Sequence, residues 1–234
     1  MSSMKAVFFD VDFTLIYPGP KFGADGYRAF ASRHAMFVDP LRFDDAVSLA
    51  TGELDQLEDD IYRSEPFVRY AKRVLVEMGA MGPGLDRCAR EIYDEWALCD
   101  HFTLYDDVKP AFIELGGAGY RIGLISNTHR CLNSFQSYFG LKSYVSAAVS
   151  SSDHGYLKPH SSIFLAALDL LGVSAENGVM VGDSIAHDVV GAQKVGMAAV
   201  LLDRSGNPRV GVGKDVPVIS LLTELPLVLA GRPL

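Results

Sequence analysis

Two carboxylates and a hydroxyl stand close together near the start of the chain, at Asp10, Asp12 and Thr14. Asp10 interrupts the apolar run Ala6–Val11, and Asp12 and Thr14 follow that run. The run has the composition of a buried strand. Because like charges repel and their burial is costly, paired acids at the end of a buried strand indicate that the acids are used. Such a pair can hold a divalent cation, or divide nucleophilic and general acid/base work between its two members.

A second group of polar side chains comes after the apolar run 122–125. Ser126 and Asn127 follow it directly, and a hydroxyl with free backbone N–H groups at the carboxyl end of a strand is well placed to hold phosphate oxygens. Lys158 stands before Pro159, which favours an extended backbone at the lysine. Its ammonium is suited to neutralising a phosphate and the Asp10 carboxylate together. Taken alone, these residues fit an ordinary turn and a surface lysine better.

A third group of acids follows the apolar run Gly178–Gly182. Asp183 comes directly after it, and Asp188 is expected near the first turn of the next helix. Carboxylate oxygens are the ligands that Mg²⁺ prefers, whereas the alternative is a helix start that favours acids through its dipole. All of these groups occur in order at the carboxyl ends of predicted strands, and one shared site explains that better than separate coincidences.

Short apolar runs separated mostly by helical patterns predict an α/β fold with a parallel sheet. The five predicted strands are Ala6–Val11, Arg121–Ser126, Tyr144–Ser150, Gly178–Gly182 and Ala198–Leu202. We expect a Rossmann-like parallel sheet of about five strands with helices on both faces. One helix is predicted near 160–171, with Pro159 in its first turn and Gly172 as its C-cap, and Asp106 or Asp107 is predicted to cap another.

Residues 18–103 carry helical patterns and no convincing strand. Apolar residues at helical spacing mark three stripes, near residues 27–34, 67–78 and 85–96. The sequence therefore predicts an all-helical domain, 18–103, inserted into an α/β core formed by 1–17 and 104–234. A run of acids in the insert is predicted to be a solvated face; it consists of Glu53, Asp55, Glu58, Asp59 and Asp60.

The composition limits the classes of partner. The 234 residues carry a formal net charge of -8, which disfavours a nucleic-acid binder because such proteins usually present a basic face. The three cysteines are an odd number without tight pairing, which suits a reducing compartment. No secretory signal or membrane-spanning run is visible. We expect a cytoplasmic monomer or homodimer that binds neither nucleic acid nor membrane.

In this order, these residues resemble the four motifs of the haloacid dehalogenase-like (HAD) hydrolase superfamily. The matching positions are Asp10 to Thr14, Ser126 after its strand, Lys158 before Pro159, and Gly182-Asp183 through Asp188. The resemblance covers the core, and the insert at 18–103 is similar to the helical cap that some members carry after the first motif. It implies Mg²⁺-dependent hydrolysis of a small phosphomonoester through an aspartyl phosphate.

The resemblance also implies a role for each residue of the first motif. Asp10 would be the nucleophile that attacks phosphorus, and Asp12 the acid that protonates the leaving oxygen and later activates water. Thr14 would position the loop that carries Asp12. The family often has Gly where this chain has Phe13, and a bulky side chain there bears on the size of the substrate more than on the chemistry.

The later motifs would bind the metal and the phosphoryl group. Mg²⁺ would be held by the Asp10 carboxylate, the Asp12 backbone carbonyl and Asp183, and Asp188 would support the metal indirectly, through a water or a neighbouring ligand. The phosphoryl group would be bound by Ser126, Asn127 and Lys158 together with Thr14.

Several other functions remain open from the sequence. A 2-haloacid dehalogenase on the same fold needs no second acid, so Asp12 argues for phosphate, while a phosphomutase would keep every residue named above. A serine esterase at Gly182-Asp183-Ser184 lacks a clear acid and His pair after the serine. A cysteine phosphatase at Cys131 lacks the expected arginine. A non-enzymatic phosphate-binding module is the remaining class.

Overall fold

The computed structural model describes residues 5–55, 59–205, 213 and 215–231. The chain divides into two compact units, one formed by Met1–Tyr17 with Leu104–Leu234 and the other by Pro18–Thr103. Glu58, part of the predicted acidic face, lies outside the described residues.

The strands and helices alternate along most of the first unit. The strands of the chain are β1 (Ala6–Phe9), β2 (Ile16–Pro18), β3 (Phe102–Leu104), β4 (Arg121–Ser126), β5 (Val145–Ser150), β6 (Gly178–Gly182), β7 (Ala198–Leu202) and β8 (Val218–Ile219). The α-helices are α1 (Ala24–Arg33), α2 (Phe43–Ala50), α3 (Gly52–Asp55), α4 (Glu65–Glu77), α5 (Leu85–Trp96), α6 (Val108–Gly117), α7 (Leu132–Tyr138), α8 (Ser151–His154), α9 (Ser161–Leu171), α10 (Val190–Lys194) and α11 (Leu225–Ala230). A π-helical turn, Ile185–Val189, precedes α10.

The main sheet is parallel, with the strand order β5-β4-β1-β6-β7-β8. The chain builds β4 and β5 on one side of β1 and then returns to build β6, β7 and β8 on the other. In register, Phe9 lies beside Leu124 of β4 and Val181 of β6. The carboxyl ends of the three central strands therefore meet at the point where the strand order reverses, which is where open α/β sheets bind ligands.

Helices cover both faces of this sheet, as predicted. Phe8 and Phe9 point to opposite faces because side chains alternate along a strand. Phe8 belongs to a core cluster with Phe164 of α9, while the ring of Phe9 lies 4.9 Å from that of Phe112 of α6. Gly123 of β4 makes room for Phe8, since a Cβ there would lie 2.5 Å from its ring.

Within the described residues the sheet has six strands, where about five were predicted. The additional strand, β8, is only two residues long, so it carries no apolar run that sequence reasoning can detect. The first strand also ends at Phe9, not Val11, because the chain turns at Asp10. The prediction of no convincing strand within residues 18–103 was wrong at the edges of that range, where β2 and β3 pair in a two-stranded sheet.

The helix predicted near 160–171 is α9, and Gly172 ends it in the left-handed conformation, as expected. Pro159 does not lie in its first turn. His160 is the N-cap instead, and its Nδ1 accepts a hydrogen bond from the backbone N–H of Ser162 at 3.3 Å. A histidine cap is not among the preferred types, which is why the sequence placed the start of the helix at Pro159 or His160 instead of Ser161.

The second unit contains α1 to α5, and the three predicted stripes are confirmed as α1, α4 and α5. Aromatic packing holds part of this unit together: the ring of Phe22 lies 4.6 Å from Trp96 and 5.5 Å from Phe102. The helices α2 and α3 were not predicted, since they are only eight and four residues long and carry too short an apolar pattern.

Candidate active site

Asp10 and Lys158 form a buried ion pair at the carboxyl edge of the sheet. Asp10 directly follows β1, and the Lys158 Nζ donates to its Oδ1 at 2.6 Å. The same Nζ donates to Oδ1 of Asp188 at 2.6 Å, and all three side chains are buried. One lysine thus lies between two carboxylates that come from elements 148 and 30 residues away from it.

Three carboxylates converge beside this lysine. Oxygen atoms of Asp10, Asp183 and Asp188 all lie within 4.8 Å of one another. The remaining oxygen of Asp188, Oδ2, accepts from the backbone N–H of Ser184 at 3.0 Å. Three carboxylates against one ammonium leave an excess of negative charge, and an all-oxygen donor set suits Mg²⁺. The residues therefore fit the predicted metal. The Asp188 carboxylate lies in the same cluster and also bonds to Lys158.

The buried charged groups shift one another's pKa values. The pKa of Asp10 is raised to about 8, because burial and the neighbouring carboxylates of Asp188 and Asp183 together outweigh the lowering effect of Lys158. Burial by itself would lower the pKa of Lys158, but the carboxylates of Asp10 and Asp188 outweigh that effect and raise it. The lysine is thus held as an ammonium, and a divalent cation among the acids would favour ionised Asp10.

Ser126 and Asn127 lie at the carboxyl end of β4, beside the end of β1. Ser126 is buried and lies two residues beyond Leu124, the residue of β4 that pairs with Phe9. The side chain of Asn127 bonds to the backbone of Lys158 twice: its Nδ2 donates to the carbonyl at 3.0 Å, and its Oδ1 accepts from the N–H at 2.7 Å. Asn127 thus fixes the lysine loop, while its predicted phosphate contact stays a prediction.

Thr14 is buried in the loop after β1, and its Oγ1 lies 3.5 Å from Oδ1 of Asp183. The loop has a support that the sequence did not reveal. Arg204 donates to the Thr14 carbonyl at 2.9 Å and to both carboxylate oxygens of Asp107 at 3.0 Å. The Arg204 guanidinium also lies 3.7 Å above the ring of Tyr105. Asp107 was predicted as a helix cap; it stands at the N-cap of α6, but its side chain serves this ion pair.

Asp12 has a cation of its own. The NH1 group of Arg130 donates to both carboxylate oxygens of Asp12, at 2.9 and 3.1 Å. Arg130 is 1% exposed, and it was missed because an arginine in a loop ordinarily reads as a surface residue. The signal that was available is its position four residues after Ser126, in the loop that leaves the site.

Comparison with known proteins decides the family: a family model for haloacid dehalogenase-like hydrolase matches residues 4–196. The chain belongs to the haloacid dehalogenase-like hydrolase family. This confirms the family expected from the four motifs.

Relatives and solved structures agree with this. A glyceraldehyde 3-phosphate phosphatase of Methanothermobacter thermautotrophicus is 30% identical over 208 residues, which cover 86% of each chain. A HAD phosphatase structure from Thermococcus onnurineus has a TM-score of 0.68 at 25% identity and covers 99% of this chain and 100% of its own. A 2-haloacid dehalogenase structure from Pseudomonas syringae pv. Tomato DC3000 has a TM-score of 0.64 at 25% identity, with coverage of 97% and 99%. The chain is a HAD-like phosphoric monoester hydrolase.

No helix within the described part of the chain is both long and apolar enough to cross a lipid bilayer.

In this HAD-like hydrolase, Phe13 adopts a conformation that favours glycine. Its φ is 63°, and 47% of the residue is exposed. For a residue with a Cβ, the left-handed region costs about 1–2 kcal/mol. The side chain of Phe13 therefore puts strain into the backbone between Asp12 and Thr14.

Phe13→Gly is expected to be more stable than Phe13→Ala by about 1 kcal/mol, because both remove the side chain but only alanine keeps the left-handed cost. Chemical denaturation of the two variants measures the difference. The matched pair is Leu165→Gly and Leu165→Ala on the exposed side of α9, where alanine is expected to be the more stable by about 1 kcal/mol. A preference for alanine at both positions would contradict the strain.

Gly182 is the other backbone position that the site requires. A Cβ on Gly182 would lie 2.1 Å from Oδ2 and 2.3 Å from Cγ of Asp188, so any side chain there displaces the acid that bonds to Lys158. The restriction is space, since Gly182 belongs to the extended strand β6.

Gly182→Ala is expected to destabilise the hydrolase by about 2–3 kcal/mol and to lower its activity, because Asp188 must move. Denaturant unfolding and phosphate release measure both effects. Gly116→Ala on α6 is the control: a Cβ there meets nothing within 4 Å, and the helix gains up to about 1 kcal/mol. Equal stability of Gly182→Ala and wild type would contradict the crowding.

Proposed function

We propose that this protein hydrolyses a small phosphomonoester, with Mg²⁺, through an aspartyl phosphate on Asp10. The observation that carries the proposal is the Asp10 carboxylate, buried at the end of β1 and 2.6 Å from the Lys158 ammonium, with Asp12 two residues further on. A carboxylate held beside a fixed cation is oriented to attack an electrophile that carries negative charge.

In the first step, an oxygen of Asp10 forms a bond to phosphorus as the bond from phosphorus to the ester oxygen breaks. Asp12 delivers a proton to that departing oxygen, so the alcohol leaves neutral. Lys158 and Ser126 hold the phosphoryl oxygens, and the lysine offsets the charge that develops on them. In the second step, Asp12 takes a proton from water while the water oxygen bonds to phosphorus, and Asp10 is released as a carboxylate.

The proposed Mg²⁺ would be held by the carboxylates of Asp10 and Asp183 and by the Asp12 backbone carbonyl. Asp188 would support this set through its bonds to Lys158 and Ser184. When bound, the metal supplies charge neutralisation at the phosphoryl oxygens. The donor set supports this assignment, since the clustered groups are all carboxylates.

For the substrate we propose a small sugar phosphate, on the basis of the relative named as a glyceraldehyde 3-phosphate phosphatase. We propose further that the helical unit 18–103 acts as a cap that sets specificity, and that the protein works in the cytoplasm without a nucleic-acid or membrane partner. The net charge of -8 supports the absence of a nucleic-acid partner.

The second candidate is a 2-haloacid dehalogenase, because one structure of similar fold carries that name. A halide leaves carbon without needing a proton, so that reaction would not need Asp12 as an acid. A phosphomutase would use the same residues and would return the phosphoryl group to a sugar hydroxyl instead of water. A binding module without turnover would bind phosphate esters and leave them intact.

The test is phosphate release from a panel of triose, pentose and hexose phosphates, phosphoglycolate and nucleoside monophosphates, each with Mg²⁺ or with EDTA. We expect metal-dependent release, highest with a small sugar phosphate. Halide release from 2-chloropropionate without phosphate release would overturn the proposal in favour of a dehalogenase. Conversion of one sugar phosphate into an isomer would favour a mutase, and binding without turnover a binding module.

A further inference from the structure

We propose that Arg130 is a positioning residue that holds Asp12 for proton transfer. This inference rests on the proposed function, in which Asp12 serves first as an acid and then as a base. The arginine comes from the loop after β4, 118 residues from Asp12 in sequence, and one nitrogen, NH1, bonds to both oxygens of the carboxylate. The guanidinium thereby fixes the rotation of the Asp12 side chain.

The loop that carries Arg130 is itself held in place. The backbone N–H of Arg130 donates to Thr128 Oγ1 at 3.1 Å. The Thr128 carbonyl accepts from the backbone N–H of Ser152 at 3.2 Å, which ties the loop to α8. At its start, Asn127 is bonded to both backbone groups of Lys158. A charged side chain that is 1% exposed and mounted on so constrained a loop is pre-organised for one partner.

The charges at the site are divided between two cations. Lys158 lies between Asp10 and Asp188, whereas Arg130 bonds to Asp12. Arg130 is the cation that pairs with Asp12. Without it, the Asp12 side chain would be free to rotate toward the cluster of carboxylates that contains Asp10. An ionised carboxylate offers about four lone-pair positions, so Asp12 can keep its bonds to Arg130 and still exchange a proton with the ester oxygen or with water.

The role predicts a dependence on the leaving group. Arg130→Gln is expected to lower kcat by at least about 10²-fold for an alkyl phosphate, whose alcohol needs a proton to leave. With p-nitrophenyl phosphate, whose leaving group is stable as an anion, the first step needs little help, so the loss is expected to be at least 10-fold smaller. KM is expected to change little, because Arg130 acts through Asp12. Arg130→Lys is expected to restore part of the kcat for the alkyl ester.

A double-variant comparison tests whether the effect passes through Asp12. Adding Arg130→Gln to Asp12→Asn is expected to lower kcat by less than about 3-fold further, since residues that act as a unit are not additive. The matched control is Arg121→Gln at the opposite end of β4, whose NH1 bonds to the Leu171 carbonyl away from the site. It is expected to leave both the rate and the leaving-group dependence unchanged.

Three results would overturn the inference while the proposed function stands: an equal loss of kcat with both esters, a full additional loss in the double variant, or a rise in KM alone. The last would indicate that Arg130 contacts the substrate. If Arg130→Gln does not fold, Arg130→Lys is measured with the same two esters and the same criteria. A wild type that releases phosphate from neither ester fails the proposed function itself and removes the inference with it.

Discussion

Asp10→Asn is expected to lower phosphate release by at least about 10⁴-fold, because an amide cannot replace the carboxylate as the nucleophile. The fold is expected to survive. Asparagine keeps the shape of the side chain, and Lys158 keeps its bond to Asp188. The measurement is kcat with the best ester of the panel, with mass spectrometry to exclude reversion of the amide to aspartate.

The stability of Asp10→Asn is a separate part of this prediction. In the metal-free protein, burial and the neighbouring Asp183 and Asp188 raise the pKa of Asp10, so removal of its charge relieves repulsion. The melting temperature without metal is expected to be unchanged or higher. Asp169→Asn on the exposed side of α9 is the matched control and should leave the rate and melting temperature unchanged. More than about 1% residual activity without reversion would contradict the covalent role of Asp10.

Lys158→Met is expected to reduce both stability and activity strongly. Methionine is of similar length but leaves Asp10 and Asp188 buried without their shared cation. Breaking a buried pair by removing one partner costs about 3–5 kcal/mol. The rate is expected to fall by at least about 10³-fold, since a cation at the phosphoryl group is also lost. Denaturant unfolding and ester turnover measure the two effects.

Magnesium tests whether the missing positive charge is the reason that Lys158→Met loses stability. A divalent cation among the carboxylates replaces part of the missing charge, so the destabilisation of Lys158→Met is expected to be smaller with Mg²⁺ than with EDTA. Lys194→Met is the control, because Lys194 is exposed on α10 and should give wild-type stability and rate. Wild-type stability of Lys158→Met without metal would contradict the buried ion pair.

The meeting of Asp10, Ser126 and Asp183 was predictable because it follows from topology. Each residue comes directly after or at the end of a buried parallel strand, and parallel strands end at one edge. The apolar runs predicted β4, β6 and β7 with their observed bounds, because each strand contains four or five consecutive buried residues. Lys158 was predictable only through the family pattern.

The ion pairs that hold the loops of the site in place were not predictable, because each one joins segments that are distant in the sequence. Arg130 reaches Asp12 over 118 residues, and Arg204 reaches Asp107 over 97. In a sequence, such residues resemble the solvated charges that are far more common. Their burial depends on the loops between helices and strands, and loop conformation carries no periodic signal. The backbone of Phe13 was unpredictable for a related reason: left-handed conformations are predicted from glycine, and this position carries phenylalanine.

The most direct test of the two-step mechanism is the stereochemistry at phosphorus. An aryl phosphorothioate made chiral with ¹⁶O and ¹⁸O is hydrolysed in water enriched in ¹⁷O, and the configuration of the released thiophosphate is determined. Transfer to Asp10 and then to water inverts phosphorus twice, so retention of configuration is the expected result. Inversion would show that water attacks the ester directly and would contradict the aspartyl phosphate on Asp10.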